Sequence, residues 1–143
     1  MSVHKNILIP VDLSEASDPA AERAKSLAEL SGAKITLLHV VDYLPPQFIA
    51  AQLPEGYSTE KALMDRAATQ MEEWAEATGL GDCAKMVRMG SAKRIIVEVA
   101  KENECDLIVM SSHGDRGIAR IIGSTARGVL HDAACDVLVV HLD

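Results

Sequence analysis

Residues 106–110, Asp106-Leu107-Ile108-Val109-Met110, and the turn behind them, Ser111-Ser112-His113-Gly114, decide the fold. After the leading aspartate the run is apolar at every position and rich in branched side chains. A strand with one wet face alternates polar and apolar residues. A run without alternation predicts a strand covered on both faces, as in parallel sheets. The same signature recurs at residues 5–11 (KNILIPV), 34–42 (KITLLHVVD) and 136–142 (DVLVVHL), and more weakly at 83–89, which end at Gly90.

Between these runs the apolar spacing turns helical. Asp12, Ser14, Ser17, Asp18 and Pro19 are helix start signals; Ala20, Ala24, Leu27 and Ala28 follow at one-face spacing, and Gly32 is a stop. Residues 43–57 contain Pro45, Pro46, Pro54 and Gly56 and read as a long loop. Ser58 or Thr59 is placed to cap the next helix, in which Leu63, Ala67, Met71, Trp74 and Ala75 form a stripe up to Gly79. Trp74 on that stripe reads as core. Ser91 is placed to cap a third helix with Ala92, Ile95, Ile96, Val99 and Ala100 on one face. In the last helix, Ile118, Ile121, Ile122, Thr125, Ala126, Val129, Leu130 and Ala133 keep one periodicity across Gly123. Spacing alone therefore favours a single helix over 118–133 with a tolerated internal glycine, at about 1 kcal/mol relative to alanine.

Five strands alternating with four helices predict an α/β chain: an open, doubly wound, five-stranded parallel sheet with helices on both faces. The order of the strands is not encoded in the spacing.

Composition narrows the function. The 143 residues are expected to form one domain, 1–143. Fourteen Lys and Arg against 21 Asp and Glu leave a net charge of −7, and the aromatics are only Trp74, Tyr43, Tyr57 and Phe48. Such a chain lacks the basic patch and stacking rings of a nucleic-acid binder. No apolar run approaches the roughly 18 residues of a membrane span, and the apolar run at residues 7–11 is too short for a signal peptide. Cys83, Cys105 and Cys135 form no C-x-x-C pair and read as small core hydrophobes in a reducing compartment, so a cytoplasmic location is expected. His4, His39, His131 and His141 show no metal-ligand spacing. A phosphoacceptor receiver domain would need a carboxylate at the end of the third strand, which instead reads Arg88-Met89-Gly90-Ser91. A flavodoxin would need aromatics to flank its flavin.

In such a sheet, ligands bind beyond the carboxyl ends of the strands, where strand order reverses. Two segments there suit an anion. Gly114 permits close backbone approach. Gly123-Ser124-Thr125 would add hydroxyls and the N–H groups of a helix end, provided a helix starts near Ser124.

Several stretches taken together resemble the universal stress protein family across nearly the whole chain. They are Ile7-Leu8-Ile9-Pro10-Val11-Asp12-Leu13-Ser14, Leu37-Leu38-His39-Val40, Cys105 through Gly114, Gly123-Ser124 and Val137-Leu138-Val139-Val140. The resemblance implies an adenine-nucleotide α-hydrolase-like sheet of order 3-2-1-4-5. It also implies ATP, or another adenine nucleotide, bound through a pattern like G-x-x-G-x9-G-[ST]. By that similarity Asp12 reaches the ribose or the adenine edge beside Pro10 and Val11, and Val40 packs on the adenine. Met110, Ser111 and Gly90 line the ribose and base, His113 and Gly114 lie near the phosphates, and Gly123, Ser124 and Thr125 hold them. This chain departs from the pattern twice: Ser111 stands at the first glycine, and the spacer between Gly114 and Gly123 is eight residues. The resemblance further implies a stress-response regulatory protein, a homodimer through strand 136–142, and Mg2+ accompanying a triphosphate. No nucleophile–base–orienter set is visible, so ATP turnover would be slow or absent. The alternative is a nucleotide-free dimeric interaction protein of the same family.

Overall fold

A computed structural model describes residues 3–42, 59–112 and 122–141. Among them the chain runs β1 (Asn6–Pro10), a 3-10 turn (Glu15–Ser17), α1 (Asp18–Ser31), β2 (Lys34–Val41), α2 (Thr59–Ala77), β3 (Ala84–Met89), α3 (Ala92–Glu102), β4 (Leu107–Ser111), α4 (Ser124–Asp132) and β5 (Asp136–Val140). The five strands form one parallel sheet in the order β3-β2-β1-β4-β5. This is the expected doubly wound architecture, and every predicted strand is present within two residues of its expected bounds. The predicted loop over 43–57 lies outside the described residues.

The sheet is buried on both sides because successive strand residues point to opposite faces. Ile7, Ile9, Leu37 and Val109 pack with Ala20, Ala21, Ala24, Met71 and Trp74 under α1 and α2. Leu8, Leu38, Ile108 and Met110 pack with Ile95, Ile96, Val99, Ala126 and Val129 under α3 and α4. Each fully buried aliphatic side chain of this kind stabilises by roughly 1.5–3 kcal/mol. Trp74 is core, as its helical position predicts, and its indole N–H donates to Asp18 at 3.2 Å. Helix α1 ends at Gly32, whose φ of 73° is the left-handed conformation that closes a helix. Ser91 occupies the predicted N-cap position of α3, but its hydroxyl makes no capping bond.

The central strand carries the feature that shapes the site. The Val11 N–H donates to Leu38 of β2 at 2.8 Å. In a parallel ladder successive residues face alternate neighbours, so residue 10 faces β4. Pro10 has no N–H to give. The β1–β4 pairing accordingly covers only Ile7 with Leu107 and Leu8 with Ile108, whereas β1 pairs with β2 along its whole length. The sheet parts between the carboxyl ends of β1 and β4, at the point where strand order reverses.

Candidate functional site

A cleft of about 660 Å³ opens at that parting, within the 300–1,000 Å³ typical of small-molecule sites. It brings together Pro10, Val11, Asp12, Val40, Met110, Ser111, Gly123, Ser124 and Thr125, all named from the sequence. His113 and Gly114 lie outside the described residues. Gly90 does not line the cleft. Its N–H donates to the Val41 carbonyl at 3.0 Å, and its φ of 144° turns β3 into α3.

Asp12 organises the loop that leaves β1. Its Oδ1 accepts from the Ser14 N–H at 2.9 Å, the Ser14 hydroxyl at 2.7 Å and the Ser17 hydroxyl at 2.8 Å, while its own N–H donates to Ser17 Oγ at 3.0 Å. The Asp12–Ser14 bond is an Asx turn. It spans Leu13, which is held at φ 66°, a conformation uncommon for leucine. The N-terminal capping itself falls to Ser14, which accepts from the Ala16 N–H at 3.1 Å. Asp12 is therefore not a simple helix cap; its carboxylate sets the backbone of the cleft's rim.

The far wall is the start of α4. Periodicity favours a helix running through Gly123, yet α4 begins at Ser124. The reason is a backbone bond: the Gly123 N–H donates to the Ser112 carbonyl at 2.6 Å. That bond holds Gly123 extended, at φ −68° and ψ 165°, and outside the helix. Among the described residues no side chain caps α4, so its first turn presents N–H groups and the positive end of the helix dipole to the cleft.

Charge in the cleft comes from few groups. Among the described residues no lysine or arginine lines it. Lys93 lies across Gly128, where a Cβ would run into its stem, and its ammonium pairs with Asp132 at 3.3 Å. Arg94 pairs with Glu98 at 3.2 Å. The remaining walls are aliphatic: Leu38, Val40, Ala92, Ile96, Met110 and Ala126. Sequence reasoning did not assign His39, Asp42 and Leu63 to the cleft. Asp42 follows β2 directly, which is a usable signal. His39 is recognisable only in the structure, where Nδ1 lies 2.8 Å from the Val11 carbonyl, an acceptor only, which places the proton on Nδ1. Leu63, from the first turns of α2, has no sequence signal. Among the described residues no group of three or more His, Cys, Asp or Glu could hold a metal ion, and no helix is long and apolar enough to cross a membrane.

The architecture defines an open, doubly wound α/β protein with a ligand-sized cleft at its switch point. Comparison with known proteins gives the family. The model of the universal stress protein family matches residues 4–141. Universal stress protein A homolog 2 of Coxiella burnetii is 37% identical over 143 residues, covering 99% of this chain and 98% of that protein. The structure of universal stress protein UspA from Lactobacillus plantarum is similar with a TM-score of 0.73 at 32% identity, covering 98% of this chain and 99% of that one. A universal stress protein solved in complex with cAMP is similar with a TM-score of 0.68 at 28% identity, covering 99% of this chain and 100% of that one. The chain belongs to the universal stress protein family.

Proposed function

We propose that this protein binds an adenine nucleotide, ATP above all, in the cleft between β1 and β4 and uses it as a regulatory ligand in a cytoplasmic stress response. The observation that carries this reading is the break before Ser124, which turns an uncapped helix end onto a cleft whose other lining combines aliphatic side chains with Asp12, His39 and Asp42. The cAMP complex of a relative at 28% identity supports the ligand class. In this reading Val40, Met110 and Val11 hold the base by aliphatic packing, as a chain with four aromatics must. Asp12 accepts from the ribose hydroxyls or the adenine edge. Ser111 borders the ribose, and Gly123, Ser124 and Thr125 take the phosphates with His113 and Gly114. Mg2+ enters only as the companion of a triphosphate. The ligand is held rather than consumed, and neither nucleic acid nor membrane is a partner.

The same reading makes the protein a homodimer through residues 136–142. The two edge strands differ in a way that selects β5. Edge strand β3 carries Lys85 and Arg88, charges that discourage pairing, whereas β5 reads Asp-Val-Leu-Val-Val. Sedimentation should give twice the 15.3 kDa chain mass; a monomer at micromolar concentration overturns the dimer.

Titration calorimetry with ATP, AMP and cAMP tests the ligand. Saturable heat is expected. No heat at millimolar concentrations of all three would overturn the nucleotide reading and leave the nucleotide-free interaction protein.

A further inference from the structure

Cys105 and Cys135 are 30 positions apart in sequence, and the sheet brings them together at the end opposite the cleft. Cys105 precedes β4 by two residues and Cys135 precedes β5 by one; the pairing of Leu107 with Asp136 sets the two strand entries side by side. Both side chains belong to the core layer beneath α3 and α4. Both also line one small cavity of about 220 Å³, with Val97, Ala100, Ala133 and Ala134 and two charged residues, Lys101 and Glu104. Both are free thiols, Cys105 buried and Cys135 half-buried, so Cys135 is the one more open to solvent. Cys83 packs against the other layer, under α1 and α2. The expectation that all three are inert core fillers thus leaves out what the fold does with two of them.

We propose that Cys105 and Cys135 form a paired-thiol site, which hydroperoxides or small disulfides close to an intramolecular disulfide and which trivalent arsenicals bridge. The site is independent of the nucleotide reading. In the peroxide reaction the Cys135 thiolate attacks the outer oxygen. The O–O bond breaks, the alcohol leaves with a proton, and Cys135 becomes a sulfenic acid. Cys105 then attacks that sulfur, the S–S bond forms, and water leaves with the Cys105 proton. Two thiols and one hydroperoxide give one disulfide, one alcohol and one water; the sulfurs lose the two electrons that the peroxide gains. With a small disulfide, Cys135 displaces one thiol and Cys105 the second. An arsenical loses one water as arsenic takes both sulfurs, with no redox change.

The surroundings set the rate. Burial is the largest cause at both thiols and pushes them above their ordinary value, Cys105 to about 11; the carboxylates of Asp106, and at Cys135 also Asp136, push in the same direction. The reactive thiolate is scarce at neutral pH, so closure is slow at pH 7 and accelerates as pH rises.

The test uses the reduced full chain, treated with hydrogen peroxide at pH 7 and about pH 9, and separately with phenylarsine oxide. Non-reducing peptide mapping by mass spectrometry reads the products. The expected result is a Cys105–Cys135 linked peptide that forms faster at the higher pH, with Cys83 unlinked. One equivalent of phenylarsine oxide should block two of the three thiols, reversed by a dithiol and not by a monothiol. Sulfinic acids at separate cysteines, intermolecular disulfides, or an arsenical that protects no pair would overturn the proposal. Because the unaltered chain decides the outcome, the folding of a cysteine variant does not enter; Cys135→Ala is a further check and should lose both products.

Discussion

The Ser111 hydroxyl donates to the Ala16 carbonyl at 2.7 Å, tying the last residue of β4 to the turn that opens α1. Ser111 stands at the first glycine of the pattern that the sequence resembles. Here the hydroxyl is committed to the protein, and the side chain braces the cleft wall. Ser111→Ala should lower stability by about 1–2 kcal/mol, through the lost bond and the unpaired carbonyl left behind. ATP affinity should change by less than about threefold, under 1 kcal/mol. Urea denaturation and calorimetry read the two effects; a large loss of affinity with unchanged stability would mean that the hydroxyl belongs to the ligand.

Gly123 is extended, not left-handed, so valine can adopt its backbone without strain. Gly123→Val should therefore fold, losing about 1 kcal/mol for a poor N-cap residue. Branched carbons at the mouth of α4 would still displace a phosphate. Nucleotide affinity should fall at least about tenfold, 1.4 kcal/mol, with circular dichroism unchanged. Unaltered affinity would place the phosphates elsewhere.

Asp12 accepts three hydrogen bonds through one oxygen, so its role in the loop separates from any role toward a ligand. Asp12→Asn keeps an acceptor and should cost less than about 1 kcal/mol of stability; Asp12→Ala should cost about 1–2. Both should weaken ATP binding if the carboxylate meets the ribose. If Asp12→Asn binds ATP normally, the carboxylate serves only the loop.

Acid should loosen the fold through Asp106. Partial desolvation pushes this carboxyl up, but the N–H groups of Lys5 and Asn6 donate to it at 2.9–3.1 Å, and it sits below the ordinary carboxylate range. The folded value lies below the unfolded one, about 3.9. Its stabilisation is therefore complete above about pH 4 and is lost as pH falls through the folded value. Asp106→Asn should lower the urea midpoint at pH 7 and flatten its decline below about pH 4. Two parallel midpoint curves from pH 7 to pH 3 would refute this.

Strands buried on both faces announce themselves, which is why β1, β2 and β4 are plain in the sequence. β3 is an edge strand with Lys85 and Arg88 in it and no fully buried residue, so its signal is weak. Strand order is not local information; it became legible only through resemblance to a family. The start of α4 misled the periodicity for a related reason. The bond from Gly123 to Ser112 joins residues 11 apart, and no count of helical turns contains it. The cleft divides in the same way. Asp12 and Ser124 lie where the rule that ligands sit beyond strand ends looks for them, Met110 enters only through the family resemblance, and Leu63 comes from a helix that only the tertiary packing brings over β2.

Pro10 shapes the molecule by omission. A cleft between two hydrogen-bonded strands would have to be pried apart by whatever enters it, and the guest would surrender part of its affinity to that work. With no donor at position 10, β1 offers no further N–H to the ladder with β4, and the pairing stops at Leu8 and Ile108. The opening is thus present before any guest arrives. A molecule that settles there meets a vacancy already made by the chain's own chemistry, and all of its contacts count toward holding it.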